Sequence, residues 1–123
     1  MYPSRFGYEA PKSVEEAVAL LDASGGEAKI LAGGQSLVPM LKLRFAAPAM
    51  LVDINSIPGL DYHRIESDGS LHIGALCRHE DLEFSDILAQ SFPTLAAAAS
   101  LVVKGIVSVR TVFPFTSWRC LMV

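Results

Sequence analysis

Two adjacent glycines flanked by small and polar residues form the segment with the clearest potential for chemistry. Residues Ala32, Gly33, Gly34, Gln35 and Ser36 follow a short apolar stretch and precede a short helical pattern. Gly33 and Gly34 can adopt positive φ and carry no side chain, so consecutive backbone N–H groups can approach an anion closely. Ser36 can cap the helical turn or donate its hydroxyl. The loop can therefore hold a pyrophosphate, although a plain strand-to-helix connection would use the same residue types.

Other reactive residues give weaker signals. The glycine loop matches neither the G-x-G-x-x-G dinucleotide pattern nor the G-x-x-x-x-G-K-[ST] phosphate loop. The two cysteines and three histidines lack metal-ligand spacing, so we predict no metal site and treat the histidines as ordinary surface or strand residues. Asp53, at a strand end beside Asn55, is interpreted as a turn-capping carboxylate. Lys42 and Arg44 could contact phosphate or face solvent or another subunit.

The elements that must position the loop are predicted from residue periodicity. Ser13 and Glu16 form a capping box, and Val14, Ala17, Val18 and Leu21 then form one apolar helical face. The pair of glycines at 25–26 ends this helix. Strands are predicted at 28–31 and 50–54, with a short helix at 37–43 between them. This order indicates a small α/β layer with parallel pairing, preceded by an extended arm at 2–11.

A different sequence pattern begins near residue 60. Segments 62–66 and 71–76 flank Asp68 and Gly69, a pair of residues typical of a hairpin turn, and they alternate polar and apolar residues. Residues 79–103 have a helical pattern broken at Pro93, and the alanine-rich part of it is expected to be buried. The predicted fold class is α+β, in which a small α/β subdomain is followed by the start of an antiparallel β subdomain with helices.

Composition excludes several classes of protein. The chain has 123 residues, of which 51% are apolar and 19% charged, as in a folded protein with room for one adequate core. A net charge of −3 with no basic stripe argues against nucleic-acid binding. The longest uncharged stretch, 87–103, is shorter than the roughly 20 residues of a spanning helix, and the N-terminus lacks the apolar core of a signal peptide. We therefore expect a cytoplasmic protein without a membrane span.

Taken together, several separated motifs resemble one family. The resembling segments are Phe6 to Pro11, Ser13 to Ala17, Ile30 to Arg44, Pro48, Leu51 to Asn55, Ile57 to Leu60 and Ile73 to His79. The chain is similar to the FAD-binding medium subunit of molybdenum hydroxylases, the group that includes carbon monoxide dehydrogenase and xanthine dehydrogenase. The resemblance covers about residues 5 to 110.

The resemblance implies an oxidoreductase component with an incomplete PCMH-type FAD-binding fold. FAD would lie between two subdomains, here 1–58 and 59–111, with its diphosphate held by two glycine loops. Electrons would arrive from a molybdenum centre through iron–sulfur clusters and pass from the flavin to an acceptor. The implied partners are a large molybdopterin subunit and a small iron–sulfur subunit. By resemblance the cofactor-binding residues are Lys29, Ala32, Gly33, Gly34, Gln35, Ser36 and Leu37. No catalytic acid, base or nucleophile is predicted.

A second contact with the flavin is less specific. Ile73, Gly74 and Ala75, at a strand end, either approach the flavin or simply pack against neighbouring residues. The family's second glycine loop is expected near residue 111, yet no glycine follows Gly105. Residues 112–123 are interpreted as a divergent tail, by hypothesis the product of a frameshift or truncation, and a real closing strand is the alternative.

Three functions remain open from the sequence. The first is a flavin electron-transfer subunit, for which the loss of activity in this fragment stays open. The second is a truncated, non-catalytic remnant or assembly module that does not retain FAD. The third is an anion- or nucleotide-binding domain unrelated to redox chemistry. With one glycine loop instead of two, we expect weak or no retention of FAD by this chain alone, and the substrate is not readable here.

Overall fold

The computed structural model describes residues 2–103, which form two small sheets and several helices. The strands are β1 Gly7–Glu9, β2 Ala28–Leu31, β3 Met50–Asp53, β4 His63–Ile65 and β5 Leu71–Ile73. The helices are α1 Val14–Ala23, α2 Leu37–Lys42, α3 His79–Glu83, α4 Asp86–Ser91 and α5 Pro93–Val103. The mixed architecture confirms the predicted α+β class. Residues 112–123, for which a divergent tail was predicted, lie outside the described residues.

A parallel sheet of order β1-β3-β2 forms the N-terminal unit. In its register Tyr8 and Lys29 flank Leu51, and Leu31 lies beside Asp53. The parallel pairing of the two apolar segments is confirmed. Strand β1 lies within the predicted extended arm, whose pairing with the sheet was not predicted. Its three residues are all exposed, and only pairing with β3, more than 40 residues away, makes them a strand.

Helix α1 follows its sequence signals at both ends but not on its buried face. The Ser13 hydroxyl accepts from the Glu16 N–H at 3.2 Å, and the Glu16 carboxylate accepts from the Lys12 N–H at 2.8 Å. The helix ends before two glycines with positive φ, as predicted. Its buried residue is Ala17, whereas Val14 and Val18 are 45% and 49% exposed. Those two valines were predicted in the buried face, but they lie at its margin.

The antiparallel hairpin is confirmed, with shorter strands than predicted. β4 pairs with β5, and Gly69 has φ +83° in the turn between them. The Asp68 carboxylate closes this turn by accepting from the N–H and hydroxyl of Ser70 at 2.9 and 2.6 Å. Ladder pairing ends at Ile73, because the following residues turn to bond the backbone of Leu60 and Tyr62.

The helical region breaks twice, at Ser85 and at Pro93. Ser85 caps α4 by accepting from the Leu88 N–H, and this break was not predicted. The expectation that the alanine-rich helix is buried is wrong in part. Ala99 is buried in α5, but Leu101 is 75% exposed, because α3 and α4 cover one side of it. His79 is also buried, at the start of α3, rather than in a surface or strand position.

Two groups of buried side chains stabilise these elements. One is centred on β3 and α1 and includes Val52 and Ala17; the other lies among the C-terminal helices and includes Leu82 and Leu88. The first group also contains Leu76, so residues beyond the hairpin contribute to the core of the parallel sheet. The division into subdomains at residue 58 stays a prediction. No helix within residues 2–103 is long and apolar enough to span a membrane.

Candidate functional site

The glycine loop connects β2 to α2 at the carboxyl end of the parallel sheet. In open sheets with parallel strands, ligands bind outside the carboxyl ends of the strands. Ala32, Gly33 and Gly34 are half-buried there. Gly34 has φ +74°, a conformation that favours glycine, whereas Gly33 has no positive φ. The prediction that both glycines use positive φ is therefore correct for Gly34 alone.

A run of unbonded main-chain donors is the main chemical feature of the loop. Within residues 2–103, no acceptor meets the backbone N–H groups of residues 33–37. The first N–H groups that are bonded are those of Val38, to Gly34 O at 2.8 Å, and Met40, to Ser36 O at 3.3 Å. Five successive free N–H groups on a turning backbone can surround an anion and donate to several of its oxygens.

The side chains of the predicted site residues are positioned differently from one another. Gln35 and Ser36 are exposed, and Ser36 makes no capping bond to α2, so of its two predicted roles the structure disfavours capping. Leu37 is half-buried at the start of α2. Lys29 is exposed on β2, on the sheet face that it shares with Tyr8 and away from α1. The loop residues are thus contiguous at one edge, and Lys29 lies on the adjoining sheet face.

A hydrogen-bond network that the sequence did not predict fixes the base of this loop. The Asn55 side-chain N–H donates to Ala32 O at 2.8 Å and to Asp53 Oδ1 at 2.7 Å. The Asn55 backbone N–H donates to the same Asp53 oxygen at 2.9 Å. The Tyr8 hydroxyl donates to Asp53 Oδ2 at 2.5 Å. The Asp53 carboxylate therefore links β1 to β3 and, through the Asn55 side chain, to the glycine loop. The interpretation of Asp53 as turn-capping is confirmed.

This network changes the acidity of two groups. Partial burial alone would raise the pKa of Asp53, but the hydrogen bonds from Tyr8 and Asn55 outweigh it and hold that pKa below its usual value. The hydrogen bond to Asp53 raises the pKa of Tyr8, because it stabilises the protonated phenol. Asp53 is therefore ionised near neutral pH and acts as an acceptor that organises the loop, not as an acid.

Lys42 and Arg44 lie at the opposite end of α2 from the glycine loop. Lys42 is exposed at the last turn. Arg44 adopts φ +58° and its Nε donates to Tyr2 O at 3.2 Å. Six residues of helix span about 9 Å, so neither residue adjoins the loop backbone. Of the two interpretations left open by the sequence, the contacts of these residues favour positions outside the anion site.

Gly74 is explained by packing within the chain. A Cβ placed on it would lie 2.3 Å from Leu60 O and 2.7 Å from Leu60 C. Its N–H donates to Tyr62 O at 2.7 Å, and the Leu76 N–H donates to Leu60 O at the same distance. The glycine is therefore required where two backbone segments meet, which supports the packing interpretation of residues 73–75 over an approach to flavin.

A second polar cluster lies beside the hairpin but has no reactive nucleophile. Cys77 Sγ is 3.9 Å from His63 Nδ1, and His63 Nε2 is 2.9 Å from Ser85 Oγ. Burial, together with the negative charges of Asp81 and Asp61, raises the pKa of Cys77 to about 11. The thiol is therefore protonated at neutral pH and cannot serve as an activated nucleophile.

Comparison with known proteins identifies a family for this chain. The sequence profile of a family described as "FAD binding domain in molybdopterin dehydrogenase" matches residues 4–112. The carbon monoxide dehydrogenase medium chain of Hydrogenophaga pseudoflava is 54% identical over 102 residues, which are 83% of this chain and 35% of the relative. The 6-hydroxypseudooxynicotine dehydrogenase complex subunit alpha of Paenarthrobacter nicotinovorans is 48% identical over 83% of this chain and 34% of the relative.

Solved structures show the same fold. The carbon monoxide dehydrogenase of Hydrogenophaga pseudoflava superposes with a TM-score of 0.76 at 54% identity, over 82% of this chain and 35% of that one. The reconstituted enzyme of Oligotropha carboxidovorans gives a TM-score of 0.77 at 42% identity, over the same shares. The chain spans about a third of the length of the relatives that it matches.

Proposed function

The chain belongs to the family of FAD-binding domains of molybdopterin dehydrogenases, and we propose that its glycine loop binds the diphosphate of FAD. The residues proposed to hold it are Lys29, Ala32, Gly33, Gly34, Gln35, Ser36 and Leu37. The single observation that carries this proposal is the run of five open N–H groups at residues 33–37. A diphosphate has enough oxygens to accept from several of these donors at once.

The residues present fit such a group. Gly34 could not be replaced without strain, since its φ of +74° disfavours any side chain and an added Cβ would lie 2.9 Å from Val38. The exposed hydroxyl of Ser36 and amide of Gln35 add two donors at the same edge. Lys29 supplies a positive charge on the adjoining sheet face. Together these groups offer both hydrogen bonds and charge complementarity to an anion.

The wider role follows from the relatives and is also a proposal. FAD, when bound, supplies the electron-transfer chemistry, while the protein binds and orients it. We propose that the chain acts in a molybdenum hydroxylase complex, receiving electrons from iron–sulfur clusters and passing them to an acceptor. Its partners would be a large molybdopterin subunit and a small iron–sulfur subunit. Relatives named as a medium chain and as a complex subunit support this assignment.

Equilibrium titration of the full 123-residue chain tests the proposal. Calorimetry would measure the affinities for FAD, ADP and riboflavin under one set of conditions. We expect FAD to bind more tightly than ADP, and riboflavin to bind at least about tenfold more weakly than FAD, because the loop contacts the diphosphate that riboflavin lacks. Titration suits this protein better than co-purification, since a single glycine loop predicts weak retention.

The alternative functions give different results in the same experiment. If neither FAD nor ADP binds, the chain is a non-catalytic remnant or assembly module. If ADP binds as tightly as FAD and the flavin contributes nothing, a nucleotide-binding domain unrelated to redox is favoured. Co-expression with the large and small subunits of a complex then tests the partners, and we expect all three chains to elute together.

A further inference from the structure

The carbonyl group at the start of the glycine loop is held by a residue from another strand end. Ala32 O accepts from the side-chain N–H of Asn55 at 2.8 Å, across 23 residues of sequence. This bond is half-buried, so water competes with it less than at an open surface. It fixes the direction of the peptide group between Ala32 and Gly33, the first peptide of the loop.

The orientation of that peptide decides what the loop presents to an anion. In a planar trans peptide the C=O and N–H groups point in opposite directions. Because Ala32 O points toward Asn55, the N–H of Gly33 points away from Asn55, and it has no acceptor within residues 2–103. A rotated peptide would instead direct a carbonyl oxygen toward the anion, which repels it.

Next to a glycine, rotation of the peptide group costs little free energy unless another contact prevents it. Gly33 has no Cβ, so its backbone can adopt conformations closed to other residues. We propose that Asn55 is a positioning residue of the FAD site, which holds the Ala32–Gly33 peptide with its N–H toward the diphosphate. This inference rests on the proposed function of the loop and adds a residue from outside it.

Asn55 is itself held in place by the network beneath it. Asp53 Oδ1 accepts from both N–H groups of Asn55, and Asp53 Oδ2 accepts from Tyr8. Both carboxylate oxygens are thus occupied, so the Asn55 amide has a fixed partner on the side away from the loop. Through these bonds the loop is supported by β1 and by the carboxyl end of β3.

The test separates positioning from stability with two variants of the full chain. Asn55→Asp removes the donor to Ala32 O and places a second carboxylate beside Asp53. We expect a lower melting temperature from the added charge. We also expect at least about tenfold weaker binding of FAD and ADP, since a rotated Ala32–Gly33 peptide loses the bond from the Gly33 N–H to a charged phosphate oxygen. The double variant Asp53→Asn/Asn55→Asp removes the repulsion between carboxylates, but it still offers no N–H to Ala32 O. Its melting temperature should recover while its affinity stays weak.

A single Asp53→Asn variant is the conservative control. Its amide oxygen can still accept from Asn55, so its FAD affinity should fall less than that of Asn55→Asp. A nuclear magnetic resonance titration adds a site-specific readout. ADP should shift the Gly33 amide of the wild type, but not that of the double variant at the same concentration, and the Gly69 amide in the hairpin should move in neither.

Each outcome decides between two conclusions. If affinity recovers together with the melting temperature in the double variant, Asn55 contributes to stability only and the inference is overturned. The same holds if Asn55→Asp binds ADP like the wild type. If the wild-type chain binds neither FAD nor ADP, the proposed function fails first, and that result is visible before any variant is made.

Discussion

The turn after β3, which supports the glycine loop, and the hairpin β4–β5 are both closed by an aspartate, but the two aspartates have different partners. In the hairpin Asp68 bonds Ser70, two residues away, and closes only its own turn. At the sheet edge Asp53 bonds Asn55 locally and also Tyr8, which lies 45 residues away. One turn shapes a local connection, and the other joins distant strands beneath a loop with open donors.

The two close-packed glycines show the same contrast. Gly74 meets the backbone of Leu60, so its missing side chain is needed by the fold. Gly34 is constrained by its positive φ and by the flexible side chains of Val38 and Leu31. Among the described residues, 2–103, no acceptor meets the N–H groups around it. A glycine that serves packing is therefore distinguished from one that serves a site by what surrounds it.

Substitution of Gly74 should have the largest effect on stability. In Gly74→Ala the new methyl group would overlap the Leu60 carbonyl, which belongs to the backbone and cannot rotate away. We expect a loss of about 3 kcal/mol in the free energy of unfolding, measured by urea denaturation. Gly7→Ala is the matched control, because its added methyl lies 3.5 Å or more from its neighbours. An equal loss in both variants would contradict the packing interpretation.

Substitution of Gly34 should affect binding more than folding. Gly34→Ala places an L residue at φ +74°, which costs about 1–2 kcal/mol, and it disturbs the donors on both sides. We expect FAD affinity to fall about tenfold or more. Gly26→Ala imposes similar strain at φ +93° with open space around it, so it should reduce stability alike and leave affinity unchanged. Equal FAD affinities in the two variants would show that the loop is not part of the FAD site.

Local signals in the sequence predicted much of this fold. Ser13 and the glycines at 25–26 marked the ends of α1, and the Asp68 and Gly69 pair marked the hairpin, since each acts through bonds within a few residues. The position of the loop between β2 and α2 followed from the same kind of signal. Family resemblance then supplied the FAD assignment, which the matched profile supports.

Features that depend on distant contacts were not predictable in the same way. β1 exists because Tyr8 pairs beside Leu51, and nothing in its three residues marks a strand. The bond of Asn55 to Ala32, on which its proposed role rests, forms only when the ends of β2 and β3 meet. The one available signal was Asp53 and Asn55 directly after a strand, because residues there share an edge with the loop after the neighbouring strand.

The two aspartates should contribute differently to stability in acid. The pKa of each is lowered in the folded chain, from an ordinary value of 3.8. Each therefore contributes stability that is present above about pH 4 and is lost as the pH falls through its folded pKa. In Asp53→Asn the free energy of unfolding should decrease less in acid than in the wild type. The difference should be below about 1 kcal/mol because Asp53 is only partly buried, and hydrogen exchange in β1 should be faster. Asp68→Asn should also reduce the loss of stability in acid, but it should leave hydrogen exchange in β1 unchanged. Faster exchange of β1 in both variants would contradict the difference between the two aspartates.

Removal of one hydroxyl should have the smallest effect and tests how far the network extends. Tyr8→Phe leaves Asn55 bonded to Ala32 and Asp53, so the loop keeps its nearest support while β1 loses its tie. We expect FAD affinity to fall by about threefold or less, while the pKa of Asp53 rises because a donor to its carboxylate is gone. Tyr2→Phe, at an exposed ring, is the control and should change neither. If Tyr8→Phe weakens FAD binding as much as Gly34→Ala, then β1 positions the loop directly. The loop would then depend on β1 as much as on Asn55.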